Sequence, residues 1–137
     1  MYDLIIIGGG PAGVAAGIYA SRKKINAFLI TKEFGGQWVI SDKIENFIGF
    51  KEISGLKLAQ TLEDHLKSQP EPIEIKEGVF VAAIKKTDVG FEVATSDGTA
   101  YQTKTVLFAL GSDHRKLNVP GEKEYEGKGV FYCSTCD

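Results

Sequence analysis

Near the amino terminus, Gly8-Gly9-Gly10-Pro11-Ala12-Gly13 follows the run Asp3-Leu4-Ile5-Ile6-Ile7 without a break. Glycine clusters usually end regular structure, yet this one stands between a β-branched run and a stretch of good helix formers, Pro11 to Ser21. A strand buried on both faces of a parallel sheet reads as such a continuous apolar run. A second apolar run, Ala27-Phe28-Leu29-Ile30, lies where it would close a βαβ unit. The glycines therefore occupy the turn from strand into crossover helix. There a Gly-x-Gly-x-x-Gly spacing, met by Gly8, Gly10 and Gly13, can receive the pyrophosphate of a dinucleotide. Gly8 permits the tight turn, Gly10 opens the backbone to the pyrophosphate, and Gly13 lets the helix pack on the strand. The helix N-terminus adds free N–H groups and a partial positive charge. An acidic residue normally ends the second strand and holds the ribose. Here Thr31 and Lys32 stand at that corner, and Glu33 is the nearest carboxylate.

Further along, Val14, Ile18 and Tyr19 are expected on the apolar face of the first helix. Residues 31–54 show no sustained helical period and are punctuated by Gly35, Gly36 and Gly49. A loop of that length in a compact domain is more often functional than idle. Trp38 within it reads equally as core or as the lining of a pocket. Ser54 can cap a helix carrying Leu56, Leu58, Leu62 and Leu66, which Pro70 and Pro72 stop. Strand-like segments follow at 73–76, 79–85, 90–95 and 100–103, with Asp97-Gly98 as a tight hairpin turn. Val106 to Leu110 is apolar again and should rejoin the parallel sheet. Residues 112–132 are rich in turn formers, including Pro120-Gly121, Gly127 and Gly129. The expected fold is a doubly wound, Rossmann-like α/β domain. Its parallel sheet joins 3–7, 27–30 and 106–110, and a small antiparallel meander runs from about 79 to 103. A boundary near residue 111 leaves 112–137 as the connector to a further domain.

The 137 residues have the length of one ordinary domain, and the net charge of -2 makes no case for binding nucleic acid or anionic membrane. No apolar stretch approaches the roughly 18 residues of a membrane span. Met1-Tyr2-Asp3 runs directly into the first strand, which points to the cytoplasm. In that compartment Cys133-Ser134-Thr135-Cys136-Asp137 reads as redox-active or metal-binding rather than as a structural staple. Metal is the weaker option, since only two thiols and two distant histidines, His65 and His114, are on offer. A Cys-x-x-Cys pair can cycle between dithiol and disulfide while the acidic neighbour moves a proton. With a dinucleotide turn at the other end of the chain, this suggests a flavin-linked disulfide oxidoreductase.

Taken together, these segments resemble the low-molecular-weight thioredoxin reductases of bacteria. The likeness runs through the glycine turn, Gly35-Gly36-Gln37, Glu45-Asn46-Phe47 with Gly49, Ala109-Leu110-Gly111, and Gly129 to Asp137. The resemblance implies an FAD domain interrupted by a smaller NADPH domain, with this chain as its N-terminal portion. It further implies that Gly8, Gly10, Pro11, Ala12 and Gly13 cradle the FAD pyrophosphate. Thr31, Glu33, Gly35, Gly36, Gln37 and Asn46 would line the ribose, ribityl chain and flavin. The backbone near Val81 would meet the adenine, with Ala109 and Gly111 also at the cofactor; Leu110 replaces a threonine usual in that segment. Cys133 and Cys136 would pass electrons to thioredoxin, with Asp137 as acid/base, in a homodimer when intact. The NADPH-binding glycine motif and the rest of the FAD domain are not in this sequence, so the chain alone is expected to be inactive. The alternatives are a related flavoprotein that feeds a peroxidase or takes electrons from ferredoxin, and an FAD-binding module without turnover.

Overall fold

The computed structural model describes residues 1–113 and 115–132. Its elements are β1 (Tyr2–Gly9), α1 (Pro11–Arg22), β2 (Ala27–Phe34), a 3-10 turn (Gln37–Ile40), α2 (Gly55–Lys67), β3 (Glu74–Glu77), β4 (Val81–Thr87), β5 (Gly90–Thr95) and β6 (Ala100–Phe108). Among the described residues the strands form one six-stranded sheet in the order β3-β2-β1-β6-β5-β4. The pairs β2–β3, β1–β2 and β1–β6 are parallel, while β5–β6 and β4–β5 are antiparallel.

Alternation along β1 decides what each face buries. Ile6, with Leu29 of β2, joins Val14 and Ala20 of α1 and Leu66 of α2. Ile5 and Ile7, with Phe28 and Ile30, face the opposite way and meet Val93 of β5, with Val81, Ile84 and Tyr101 packed around them. Ile5, Ile6, Leu29 and Ile30 are all fully buried, each stabilising the fold by about 1.5–3 kcal/mol. Both described helices thus cover one face and the meander covers the other, where a doubly wound sheet would carry further helices.

Pro11 opens α1, a position at which the missing N–H costs nothing. Its buried stripe is Gly13, Val14, Gly17, Ala20 and Ser21, mostly small residues that let the helix sit close to its neighbours. A Cβ on Gly17 would lie 2.8 Å from Leu66 Cδ1, so α1 and α2 meet there. This stripe corrects the expectation for Tyr19, which is 67% exposed on the outer side. The Ser54 hydroxyl caps α2 by accepting from Lys57 N–H at 3.3 Å, and Leu58 and Leu66 point inward. Leu56, expected on the same stripe, faces outward instead.

One further departure concerns β6. The segments read from the sequence as two strands form a single strand that changes partners at Thr103. Ala100 to Thr103 pairs with β5, and Thr103 to Phe108 with β1. Thr103 is buried, and its hydroxyl donates to Thr105 C=O at 2.9 Å. One strand thereby joins the meander to the parallel sheet, which is how the meander reaches the far face.

Candidate functional site

The carboxyl ends of β1, β2 and β6 lie side by side, as parallel pairing requires. Gly9 is in register with Phe34, Gly35 N–H donates to Gly9 C=O at 3.0 Å, and Ala109 N–H donates to Ile7 C=O at 2.9 Å. The glycine turn is therefore flanked by Thr31–Gly36 on one side and by Ala109–Gly111 on the other. In open α/β sheets this edge is where ligands bind.

The glycines here do two different jobs. Gly8 has a φ of 115°, and a Cβ on it would fall 2.2 Å from Ala109 C=O oxygen. A Cβ on Gly13 would fall 1.8 Å from Gly8 C=O oxygen, so the first turn of α1 lies directly on β1. Gly9, which the sequence pattern did not single out, is as tight: its Cβ would lie 2.6 Å from Thr31 Oγ1. Gly10 is different. The nearest atom to a Cβ there is Gly35 C=O oxygen at 3.8 Å, and Gly36 and Gly111 have open space around theirs. The tight glycines fix the turn, and the open ones leave room above it.

No side chain caps α1, whose N-cap is Gly10 in an extended conformation. The first-turn amides of Ala12 and Gly13 lack intrahelical partners, so the helix end can receive an anionic group. Thr31 is buried and its hydroxyl donates to Glu33 C=O at 2.7 Å, which bends β2 toward Gly35. The Glu33 side chain is exposed at the same corner. Gln37 donates from Nε2 to Ser112 Oγ at 3.4 Å, tying the 3-10 turn to the chain leaving β6. Asn46 is exposed in the loop closed by the Ile44–Ile53 bridge. That loop is linked back to the site by Trp38 and Phe47, whose rings meet edge-on at 5.5 Å. Trp38 is half-buried, and its Nε1 is buried with no hydrogen-bond partner among the described residues. Gly55 is a further residue the sequence reading missed: its Cβ would lie 1.8 Å from Trp38 C=O oxygen, so α2 begins directly against the 3-10 turn. Val81 lies across the sheet, where with Ile7, Ala83, Ile84, Phe108 and Leu110 it lines a shallow apolar concavity of about 310 Å³.

The structure thus brings Gly8 to Gly13, Thr31, Glu33, Gly35, Gly36, Gln37, Ala109 and Gly111 to one edge, with Val81 on an adjoining wall and Asn46 on a separate loop. Cys133, Cys136, Asp137 and His114 lie outside the described residues, and His65 is exposed on α2. Among the described residues no helix is long and apolar enough to cross a membrane.

A family model described as pyridine nucleotide-disulphide oxidoreductase matches residues 2–137. The chain belongs to that family. An alkyl hydroperoxide reductase component of Pseudomonas putida is 44% identical over 99% of this chain, which spans 26% of that protein. A protein named NADH dehydrogenase from Bacillus subtilis is 40% identical with the same coverage. Among solved structures, thioredoxin reductase of T. acidophilum superposes with a TM-score of 0.80 at 42% identity over 99% of this chain. The Streptococcus pyogenes thioredoxin reductase gives 0.83 at 38% identity over the whole chain. In both cases the chain spans 44% of the solved one, so it is about a quarter of the curated relatives and under half of these structures. The family's description names a pyridine nucleotide and a disulphide. The site fits a dinucleotide: an open glycine stands at an uncapped helix end, further open glycines adjoin it, and an apolar wall offers a surface to a flat ring.

Proposed function

We propose that the chain is the N-terminal part of a flavin-dependent disulfide reductase that transfers electrons from NADPH to thioredoxin. The observation that carries this reading is the open space at Gly10, Gly36 and Gly111 around an uncapped helix end, in a chain that also holds Cys-x-x-Cys-Asp. The amides of Ala12 and Gly13 would bind the pyrophosphate. The corner of Thr31 and Glu33, with Gly35, Gly36, Gln37 and Asn46, would orient the ribose, ribityl chain and flavin. The apolar wall at Val81 would exclude water from the adenine. FAD, when bound, supplies a two-electron relay between nicotinamide and dithiol. Cys133 and Cys136, once reduced, give two electrons and two protons to the partner's disulfide and close to a disulfide themselves, while Asp137 carries a proton. In this reading 1–111 is FAD domain, 112–137 opens the next domain, and the intact enzyme is a cytoplasmic homodimer.

A second acceptor, a protein that feeds a peroxidase, is favoured by the 44% identity to an alkyl hydroperoxide reductase component. The test is reduction of each disulfide partner with NADPH. A longer protein carrying this chain should reduce one of them, and Cys133→Ser or Cys136→Ser should stop that while FAD stays bound and reducible. The 137-residue chain with added FAD should give no turnover. A thiol variant that keeps its activity, or turnover by the chain alone, overturns the reading.

A further inference from the structure

The concavity beside the glycine turn takes part of its wall from β4, at Val81 to Ile84, and the rest from Ile7, Phe108 and Leu110. Among the described strands β4 is the last of the sheet and pairs with β5 alone. Its register slips between Val81 and Ala83, where a bulge disrupts the ladder. What fixes the start of β4 is a short run just before the Asp97-Gly98 turn. Val81 is in register with Thr95, Ser96 N–H donates to Phe80 C=O at 2.9 Å, and Phe80 N–H donates to Ser96 Oγ at 3.3 Å.

That turn is itself fastened to the opposite edge of the sheet. Asp97 Oδ2 lies 2.7 Å from Nζ of Lys76 in β3, while Oδ1 accepts from the buried Thr95 hydroxyl at 2.6 Å and from Thr99 N–H at 3.1 Å. Lys76 Nζ also donates to the Tyr101 hydroxyl at 2.8 Å, and the Tyr101 ring packs edge-on against Phe28 at 4.8 Å. The Lys76 ammonium, with the Thr95 hydroxyl and Thr99 N–H, holds the Asp97 carboxyl far below the usual carboxylate range. The pair is therefore charged at neutral pH. β3 and β4 stand at opposite ends of the strand order, so the meander curls back across the face to make this contact. A partly exposed ion pair adds little to global stability. What this one sets is where the turn lies and, through Thr95 and Ser96, where β4 begins.

We infer that Lys76 and Asp97 are positioning residues for the dinucleotide site: by fastening the Asp97-Gly98 turn to β3, they hold the β4 wall at the spacing from β1 and β6 that admits the adenine. The inference rests on the reading that FAD binds at this edge with its adenine in the concavity.

Two measurements test it. The first is amide hydrogen exchange of the 137-residue chain, read by mass spectrometry. Lys76→Met removes the ammonium, and Asp97→Asn removes the charge while keeping an acceptor for Thr95 and Thr99. Each should speed exchange several-fold at residues 79–84 and leave β1 and β2 as in the parent. The double variant should match either single one, since both break the same link. Lys76→Arg, which keeps the cation, should stay close to the parent. The second is the FAD affinity of a longer apoprotein carrying this chain, which should weaken several-fold in Lys76→Met and Asp97→Asn and recover in Lys76→Arg. Exchange that superposes on the parent, or that rises evenly over the whole sheet, overturns the inference. So does local loosening of 79–84 with unchanged FAD affinity. Should Lys76→Met fail to fold, Asp97→Asn decides alone. A parent apoprotein that binds no FAD overturns instead the cofactor reading beneath it.

Discussion

The turn between β1 and α1 and the connector from Arg115 to Tyr132 are ordered by opposite means. The turn is held by what is missing: Gly8, Gly9 and Gly13 each sit where a single added carbon would strike a neighbour within 2.6 Å. Behind it stand fully buried Ile5 and Ile6, so close packing does the rest. The connector has almost no apolar burial and is ordered by polar contacts: backbone turns, the Lys116–Glu126 pair, and the Glu122 carboxylate with its three donors. A packed turn has a fixed shape because its alternatives clash. A polar staple has one only while its partners stay in place.

That contrast is sharpest at Gly13. Gly13→Ala adds one carbon 1.8 Å from a backbone oxygen, which cannot rotate away. The helix must lift from the sheet, and the expected cost is about 3 kcal/mol or more, at the upper end of overpacking. Urea denaturation should show a large fall in midpoint, or no cooperative transition at all. A midpoint near that of the parent would mean that packing does not hold the turn.

Ser54→Ala tests a polar contact of the ordinary, local kind. The Ser54 side chain accepts from Lys57 N–H at an exposed helix start. Its loss should cost about 1 kcal/mol, read as a lower urea midpoint with unchanged slope. A cost as large as that at Gly13 would erase the distinction drawn between packed and polar ordering.

The two regions also differ in how far their order was legible in the sequence. The Ser54 cap and the Asp97-Gly98 hairpin are local: the signal and the contact lie within a few residues of each other. Asp97, for example, accepts from Thr95 Oγ1 at 2.6 Å and from Thr99 N–H at 3.1 Å. The pattern of apolar residues misled at Tyr19 and Leu56; in α1 the stripe that wins is set by Gly13 and Gly17 against β1 and α2. The partner exchange of β6 at Thr103 depends on β1 and β5, far apart in the chain. Glu122 left no trace at all, since in a turn-rich run of charged residues nothing marks the carboxylate that will find Tyr132 ten residues on. Tight and open glycines are likewise identical as letters, and only the surrounding backbone separates Gly8 from Gly10.

Gly10 should show the smallest effect on the fold and the largest on the ligand. Its φ of -74° and ψ of -178° are open to any residue, and a Cβ would stand 3.8 Å from its nearest neighbour. Replacing glycine by alanine at an N-cap costs a fraction of a kcal/mol, while the lost freedom of the unfolded chain returns about 0.4–1 kcal/mol. Gly10→Ala should therefore leave the urea midpoint almost where it was, three residues from a position at which the same substitution disrupts the fold. Gly10→Val extends the side chain into the open space in front of the first-turn amides. In a longer protein carrying this chain, flavin absorbance after purification should fall away while the circular dichroism spectrum stays that of the parent. A Gly10→Val protein that retains stoichiometric FAD would show that this space is not where the pyrophosphate lies. One that unfolds would show that Gly10 belongs with Gly8 and Gly13 in holding the turn, and the division between glycines that pack and glycines that bind would then fail at its central residue.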